Sequence, residues 1–279
     1  MHVLWKDQIV ERDTVKIDIE DRAYQYGDGL YEAMRVYKSK MYMFDEHYDR
    51  LDRCAKEIRL ELPFTRSELK ANLEKLIAVE SITEGEVYLQ VSRGVKAPRD
   101  HHLPLPGTVE AVLTANVITI ERDVKAQEKG HTSCLVQDQR WLHCNIKSLS
   151  LLGNVLSLNE AVEKGYDDAL LVRDGYFTEA SASNLWFVID GKLHTHEDGN
   201  LVLPGITKIK LLEIAKSLGL EVIEKAVPVT MLSQVEECFA SNSVHEVMPI
   251  VEIDGKPVQN GKRGPITKLL QDKYIEATL

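Results

Sequence analysis

Apolar residues recur along the first third of the chain at helical spacing, and they predict two helices. After an extended start, Asp45 is the predicted N-cap of a helix whose apolar face includes Leu51 and Ile58. Arg50 lies off that face. A second helix is predicted from about Arg66, where leucines and isoleucines again recur every three or four residues.

The pattern then changes to a period of two. In GEVYLQVSRG, apolar and polar residues alternate from Val87, which is typical of a half-buried strand. Another strand is predicted over 109–117. The charged segment ERDVKAQEKG then interrupts the apolar pattern. We therefore predict an N-terminal α/β domain over 1–120, a linker over 121–130 and a C-terminal domain over 131–279.

The C-terminal part mixes both periods. A helix is predicted in LLGNVLSLNEAVEKG, and short strands follow in ALLVR and NLWFVI with turn signals between them. The segment LPGITKIKLLEIAKSLGL predicts a helix that is opened by Thr207 and closed near Gly219. Together these elements favour a two-domain α+β fold.

Composition narrows the class of partner. The 279 residues carry a formal net charge of -10, and this argues against a phosphate-backbone partner, because nucleic-acid binding needs a basic surface. No segment is apolar over the roughly 20 residues that a membrane span needs. The four cysteines form no C-x-x-C pair, which is typical of free thiols in a reducing compartment. We expect a cytoplasmic enzyme that acts on a small molecule.

Lys147 is the only formally charged residue between Arg140 and Glu160, in the apolar segment WLHCNIKSLSLLGNVLSL. An apolar surrounding disfavours the ammonium form and prepares the amine to attack a carbonyl, as a Schiff-base lysine must. The alternative is a lysine whose stem is buried while its ammonium reaches water. Taken alone, the local sequence favours this alternative.

Glu179 is likewise the only formally charged residue between Asp174 and Asp190. A buried carboxylate needs a positive partner, and a protonated pyridine nitrogen would be one. The alternative is a glutamate at a strand end that faces solvent.

Two further features could bind anions. The turn Gly205-Ile206-Thr207 precedes a predicted helix, where exposed N–H groups and the helix dipole favour a phosphate, and Arg50 could add charge-assisted hydrogen bonds. The basic segment SRGVKAPRDHH could present cations to a substrate carboxylate. Each also has an ordinary interpretation, as a common helix start or as a basic surface loop. No metal-binding motif is present.

Several segments in order resemble the fold type IV pyridoxal-phosphate aminotransferases, and most closely their bacterial D-amino-acid transaminase branch. The resemblance covers essentially the whole chain and rests on DRAYQYGDGLYE, DEHYDRL, SRGVKAPRDHH, DQRWLHCNIKSLSLLGNVL, TEASASNLWFV, LPGIT and ASNSVHEVMPIVEIDGK. It implies that the C-terminal domain binds pyridoxal 5′-phosphate and that the protein is a homodimer.

The resemblance also implies roles for single residues. Lys147 would carry the cofactor and Glu179 would face its ring nitrogen, and these are the two isolated charges described above. Leu203 would pack against the ring. The phosphate contacts would be Arg50, Ile206, Thr207 and Ser243, and the trap for the substrate α-carboxylate would be Tyr31, Arg99 and His101. Asn242 and Val244 depart from the small or hydroxyl residues that the family has near the phosphate.

The implied reaction is transamination between a D-amino acid, such as D-alanine, and a 2-oxo acid, such as 2-oxoglutarate. The segment SLSLLGN lacks the paired glycine and the tyrosine of branched-chain members, which favours D-substrates. The alternatives are a branched-chain L-amino-acid transaminase, an aminodeoxychorismate lyase or an amine transaminase of the same fold. A non-catalytic binding protein is disfavoured, because both Lys147 and Glu179 are present.

Overall fold

The chain folds into two α+β units. A computed structural model describes residues 1–279. The N-terminal unit consists of Met1–Glu121 together with Ile146–Ser150, and the C-terminal unit consists of Arg122–Asn145 and Leu151–Leu279. The α+β class predicted from the sequence is confirmed.

The N-terminal unit is built on one six-stranded antiparallel sheet with the strand order β2-β1-β6-β5-β3-β4. Its elements are β1 (His2–Trp5), β2 (Gln8–Glu11), α1 (Arg22–Tyr26), β3 (Gly29–Tyr37), β4 (Lys40–Met41), α2 (Phe44–Glu57), α3 (Arg66–Val79), β5 (Gly85–Ser92) and β6 (Val112–Thr119).

The two faces of the sheet differ in chemistry. Alternate residues of β3 and β5, among them Leu30, Met34 and Val87, join α2 and α3 in one hydrophobic core. The opposite face carries Tyr31 and Tyr88 instead. The period-two pattern of GEVYLQVSRG thus marks one buried face, as predicted.

Two element boundaries differ from the sequence prediction. α2 begins at Phe44, with Met43 as its N-cap, because the carboxylate of Asp45 accepts a hydrogen bond from Arg66 instead of capping the helix. β6 begins at Val112 and continues to Thr119, since it pairs with β5 along its full length.

The C-terminal unit contains a nine-stranded mixed sheet with the order β12-β11-β10-β13-β14-β7-β8-β9, and β15 pairs with β14. Its elements are α4 (Val124–Lys129), β7 (His131–Gln137), α5 (Leu152–Glu163), β8 (Asp168–Arg173), β9 (Tyr176–Ala180), β10 (Asn184–Ile189), β11 (Lys192–Thr195), α6 (Ile206–Ser217), β12 (Val222–Glu224), β13 (Glu237–Asn242), β14 (Glu246–Ile253), β15 (Lys256–Pro257) and α7 (Pro265–Ala277).

Both faces of this sheet are buried. Every residue of β10 is buried: Phe187 packs in one core, and on the other face Trp186 stacks on Phe239 with 5.5 Å between ring centroids. The indole N–H of Trp186 also donates to Ser241 Oγ at 2.9 Å. Pairing its indole in this way removes the cost of burying an unsatisfied donor.

The segment 121–130, predicted as a linker, contains α4. Asp123 caps this helix by accepting from the N–H of Ala126, and Gln127 is buried and donates to the carboxylate of Glu246 at 3.1 Å. The segment is therefore packed on the C-terminal sheet despite its charge. None of the helices has the length and hydropathy of a membrane span.

Each of the four cysteines is a free thiol in a buried position. The prediction of unpaired cysteines is confirmed. Burial raises the pKa of Cys144 to about 11, since the thiolate would lose its hydration.

Candidate active site

Lys147 is carried by a five-residue segment that belongs to the N-terminal unit although it lies in the second half of the sequence. The segment pairs with the start of β3: the N–H of Tyr31 donates to the Lys147 carbonyl at 3.1 Å, and that of Leu149 donates to the Gly29 carbonyl at 3.0 Å. A Cβ at position 29 would lie 2.5 Å from the Val91 carbonyl oxygen. Glycine is needed here because a side chain would collide with the backbone of β5 and, at 2.7 Å, with the side chain of Leu149.

The amine of Lys147 lies above an aromatic ring. Its side chain is half-buried, and Nζ is 4.0 Å from the centroid of Tyr31, whose ring is 5.8 Å from that of Tyr88. Lys147 forms no ion pair with a carboxylate. The ring of Tyr31 thus fixes the position of Nζ, and no carboxylate competes for it. This arrangement suits a nucleophilic amine better than a solvated surface lysine.

Arg50 is buried in a charge cluster behind this segment. Its Nε and Nη2 donate to the two carboxylate oxygens of Glu32 at 2.8 and 2.7 Å, and Nδ1 of His47 lies 2.7 Å from the same carboxylate. Burial alone would raise the pKa of Glu32, but Arg50 and His47 outweigh it and lower this pKa well below its usual range. Burial is the largest effect on the pKa of His47 and lowers it, although the Glu32 carboxylate acts in the opposite direction.

This cluster is linked to Lys147 through α2. Cys54 lies one helical turn after Arg50, and its Sγ accepts the backbone N–H of Lys147 at 3.4 Å. Arg50 itself is held in place by its ion pair with Glu32. Its contact with a phosphate remains a prediction.

Arg99 and His101 are exposed and pack on a different tyrosine. The guanidinium carbon of Arg99 is 4.4 Å from the ring centroid of Tyr26, and the ring of His101 is 5.5 Å from it. No hydrogen bond or ring contact joins either residue to Tyr31. The three predicted members of the carboxylate trap are thus not in direct contact within this chain, and their common role stays a prediction.

Glu179, on β9, is buried and fully engaged in the C-terminal unit. One carboxylate oxygen pairs with Arg140, and the other accepts the backbone N–H of Leu203 at 3.1 Å. The alternative of a solvent-facing glutamate is therefore wrong. The amide of Asn184 lies 3.5 Å from Glu179 Oε2 and donates to the Leu203 carbonyl at 2.7 Å.

The positive charge of Arg140 is shared with a second carboxylate. Arg140 donates to Asp138 from Nε at 2.9 Å and from Nη2 at 2.8 Å, and Arg173 approaches the same aspartate at 3.0 Å. Burial opposes ionisation of Asp138, but Arg140 outweighs it and lowers the pKa to about 2. For Glu179 burial dominates and raises the pKa. Glu179 is thus a buried carboxyl that a further cation would stabilise.

The start of α6 has the features of an anion site. The helix begins at Ile206, one residue before the predicted Thr207, and its N-cap Gly205 provides no side-chain hydrogen bond. A Cβ at position 205 would lie 2.0 Å from Asn184 Oδ1, which explains why a glycine occupies this position. Ile206 and Thr207 are buried in the first turn, where backbone N–H groups lack helical partners.

Ser243 lies in the turn between β13 and β14. The side-chain oxygen of Asn242 shapes this turn by accepting the N–H groups of Val244 at 2.9 Å and His245 at 2.7 Å. Asn242, which departs from the family pattern, therefore organises the turn. The contact of Ser243 with a phosphate remains a prediction.

Sequence reasoning missed the residues that support the predicted ones. Asp138 and Arg140 form the buried pair beside Glu179, and their D-x-R spacing in DQRWLHCNIK was the available signal. Glu32 and His47 were not predicted to pair with Arg50. Glu32 lies on β3, whereas His47 and Arg50 lie on α2, so periodicity within one element could not reveal this pairing.

Comparison with known proteins gives consistent matches. A family model described as amino-transferase class IV matches residues 29–253. The D-alanine aminotransferase of Listeria monocytogenes is 44% identical over 276 residues, which cover 99% of this chain and 96% of the relative. That of Bacillus licheniformis is 40% identical over 97% of this chain and 95% of the relative.

A solved structure extends this result to the fold. The branched-chain aminotransferase of the archaeon Thermoproteus uzoniensis with norvaline has a TM-score of 0.89 and 25% identity to this chain. The alignment covers 100% of this chain and 94% of that one. The two chains therefore share their architecture from end to end.

Proposed function

Because the chain belongs to the amino-transferase class IV family, we propose that it transfers an amino group between a D-amino acid and a 2-oxo acid. D-alanine and 2-oxoglutarate would give pyruvate and D-glutamate. The observation that carries this proposal is the 44% identity to a D-alanine aminotransferase over 99% of the chain. Its cofactor is pyridoxal 5′-phosphate, with which class IV aminotransferases work.

The described residues fit this cofactor in three respects. Lys147 offers an amine without a carboxylate partner, and Glu179 offers a buried carboxyl whose pKa is raised by burial. The uncapped start of α6 offers backbone N–H groups for a phosphate. When bound, the cofactor withdraws electrons from the bonds at the substrate Cα.

Each residue then has a proposed task. Lys147 would hold the cofactor through its amine, and the same amine, when free, would move the proton at the substrate Cα. Glu179 stabilises positive charge on the ring nitrogen, and Leu203, which the same carboxylate fixes through its backbone, packs against the ring. The phosphate contacts are Arg50, Ile206, Thr207 and Ser243.

The position at which the protein binds the substrate α-carboxylate would decide between the D and L enantiomers. The substrate Cα–H bond would have to point toward the amine of Lys147, so the position of the α-carboxylate would determine which enantiomer reacts. We assign that position to Tyr31, Arg99 and His101. Tyr31 lies beside the amine of Lys147, which supports its part in this trap.

A substrate panel tests the proposed function. With 2-oxoglutarate as acceptor, we expect kcat/KM for D-alanine to exceed that for L-alanine by about 100-fold or more, because an L enantiomer whose carboxylate occupies the proposed trap would turn its Cα–H bond away from Lys147. Preference for L-leucine would favour the branched-chain alternative. Release of pyruvate from aminodeoxychorismate would favour the lyase. A protein that stays colourless with added pyridoxal phosphate would contradict the whole proposal.

We also propose that the protein is a homodimer in the cytoplasm, and the surface of α5 supports the dimer. Apolar side chains repeat along one exposed side of this helix, namely Leu152, Val155, Leu156 and Val162. Monomeric proteins rarely expose a contiguous apolar patch of this kind. Light scattering should give twice the chain mass, and Leu156→Glu should lower it. A monomeric wild-type protein at micromolar concentration would contradict the dimer.

A further inference from the structure

The polar face of the N-terminal sheet carries a charged pair beyond the tyrosines. β3 and β5 pair so that Tyr31 is opposite Gln90 and Arg35 is opposite Glu86. Directly paired residues of antiparallel strands point to the same face. Arg35 therefore shares a face with Tyr31, whose ring contacts the amine of Lys147. The hydrophobic core lies on the other face.

Arg35 is buried without a polar partner. Its side chain is among the largest that are fully buried, with 2% of its surface exposed, and none of its three guanidinium nitrogens makes a hydrogen bond. Its one aromatic contact is with Tyr37, 5.2 Å from the guanidinium carbon. Burying an unpaired charge is costly, so such a group needs an explanation. The other buried arginines all bind a carboxylate: Arg22, Arg50, Arg93 and Arg140.

Glu86 does not neutralise Arg35. The two side chains form neither a hydrogen bond nor an ion pair, although they are directly paired across the strands. Burial raises the pKa of Glu86 and so favours its neutral form, while the charges of Arg35 and Lys147 oppose this rise. Both cations thus act on the same carboxyl. The guanidinium of Arg35 is thus left without a hydrogen-bonded or ion-paired carboxylate.

We propose that Arg35 binds the distal carboxylate of a dicarboxylic substrate of the glutamate and 2-oxoglutarate class. Arginine is suited to this task because its planar fork can bind a carboxylate through two parallel hydrogen bonds. Tyr31 and Arg35 are four residues apart on one strand, about 13 Å. The arginine side chain and a five-carbon acid together bridge this separation. The inference rests on the proposed transamination, and makes Arg35 a specificity residue of that reaction.

The first test compares two acceptors of equal length. With D-alanine as donor, the ratio of kcat/KM for 2-oxoglutarate to that for 2-oxovalerate should fall about 30-fold or more in Arg35→Gln, because a desolvated charge pair is lost. Arg35→Lys keeps the charge and should lose less. The control Arg66→Gln removes an exposed arginine that pairs with Asp45, and should leave the ratio unchanged. An unchanged ratio in Arg35→Gln would overturn the proposal.

The second test needs no turnover. Calorimetric titration of the cofactor-loaded protein should show that glutarate binds more tightly than valerate, about 10-fold or more, and that Arg35→Gln abolishes this preference. If the wild-type protein shows the preference but transaminates nothing, only the proposed function fails. If it transaminates but binds both acids equally, only the role of Arg35 fails.

Discussion

Replacing Lys147 with alanine will lower kcat for transamination by about 10⁴-fold or more, because one amine supplies both the nucleophile and the base. The residue makes no ion pair, and only its backbone contributes to the pairing with β3. We therefore expect little loss of folding stability. The measurement is steady-state pyruvate formation from D-alanine, with urea unfolding as the check on folding.

A matched control for this substitution is Lys273→Ala. Lys273 lies on α7, is partly exposed and pairs with Glu276 at 2.7 Å. Its loss should leave kcat within about twofold, since exposed ion pairs contribute little. Near-normal turnover by Lys147→Ala would remove this residue from the reaction.

Replacing Glu179 with glutamine will lower kcat by about 10²- to 10³-fold, the usual effect of removing one electrostatic contact to the reacting group. A neutral amide cannot keep the ring nitrogen protonated. Glutamine has nearly the volume of glutamate, and Arg140 keeps its bonds to Asp138, so the buried network is only partly disturbed.

The control for Glu179→Gln is Glu276→Gln on α7, an exposed glutamate that should be replaceable without loss of kcat. The absorbance of the bound cofactor gives an independent readout. The pH dependence of this absorbance should shift in Glu179→Gln and stay unchanged in Glu276→Gln. Equal spectra and equal rates for both variants would show that Glu179 does not face the ring.

The sequence predicted those features that depend on local pattern. The isolated charges of Lys147 and Glu179 stood out because apolar residues surround both. The structure bears out the unusual setting of each, with Nζ of Lys147 above Tyr31 and Glu179 buried against Arg140. Alternation along β5 likewise identified a half-buried strand.

Features that depend on distant pairing could not be predicted. The segment 146–150 belongs to the N-terminal unit because its backbone pairs with β3, more than 100 residues earlier in the chain. Arg35 gave no signal in sequence, since a strand arginine is ordinarily solvated. Only the register of β3 with β5 shows that it is buried beside Glu86 without a partner.

The most direct test of the account is to identify the lysine that binds the cofactor. The protein loaded with pyridoxal 5′-phosphate would be reduced with borohydride, digested and mapped by mass spectrometry. We predict a single modified peptide that contains CNIKSLSL, with the cofactor on Lys147. A cofactor fixed to any other lysine would contradict the account.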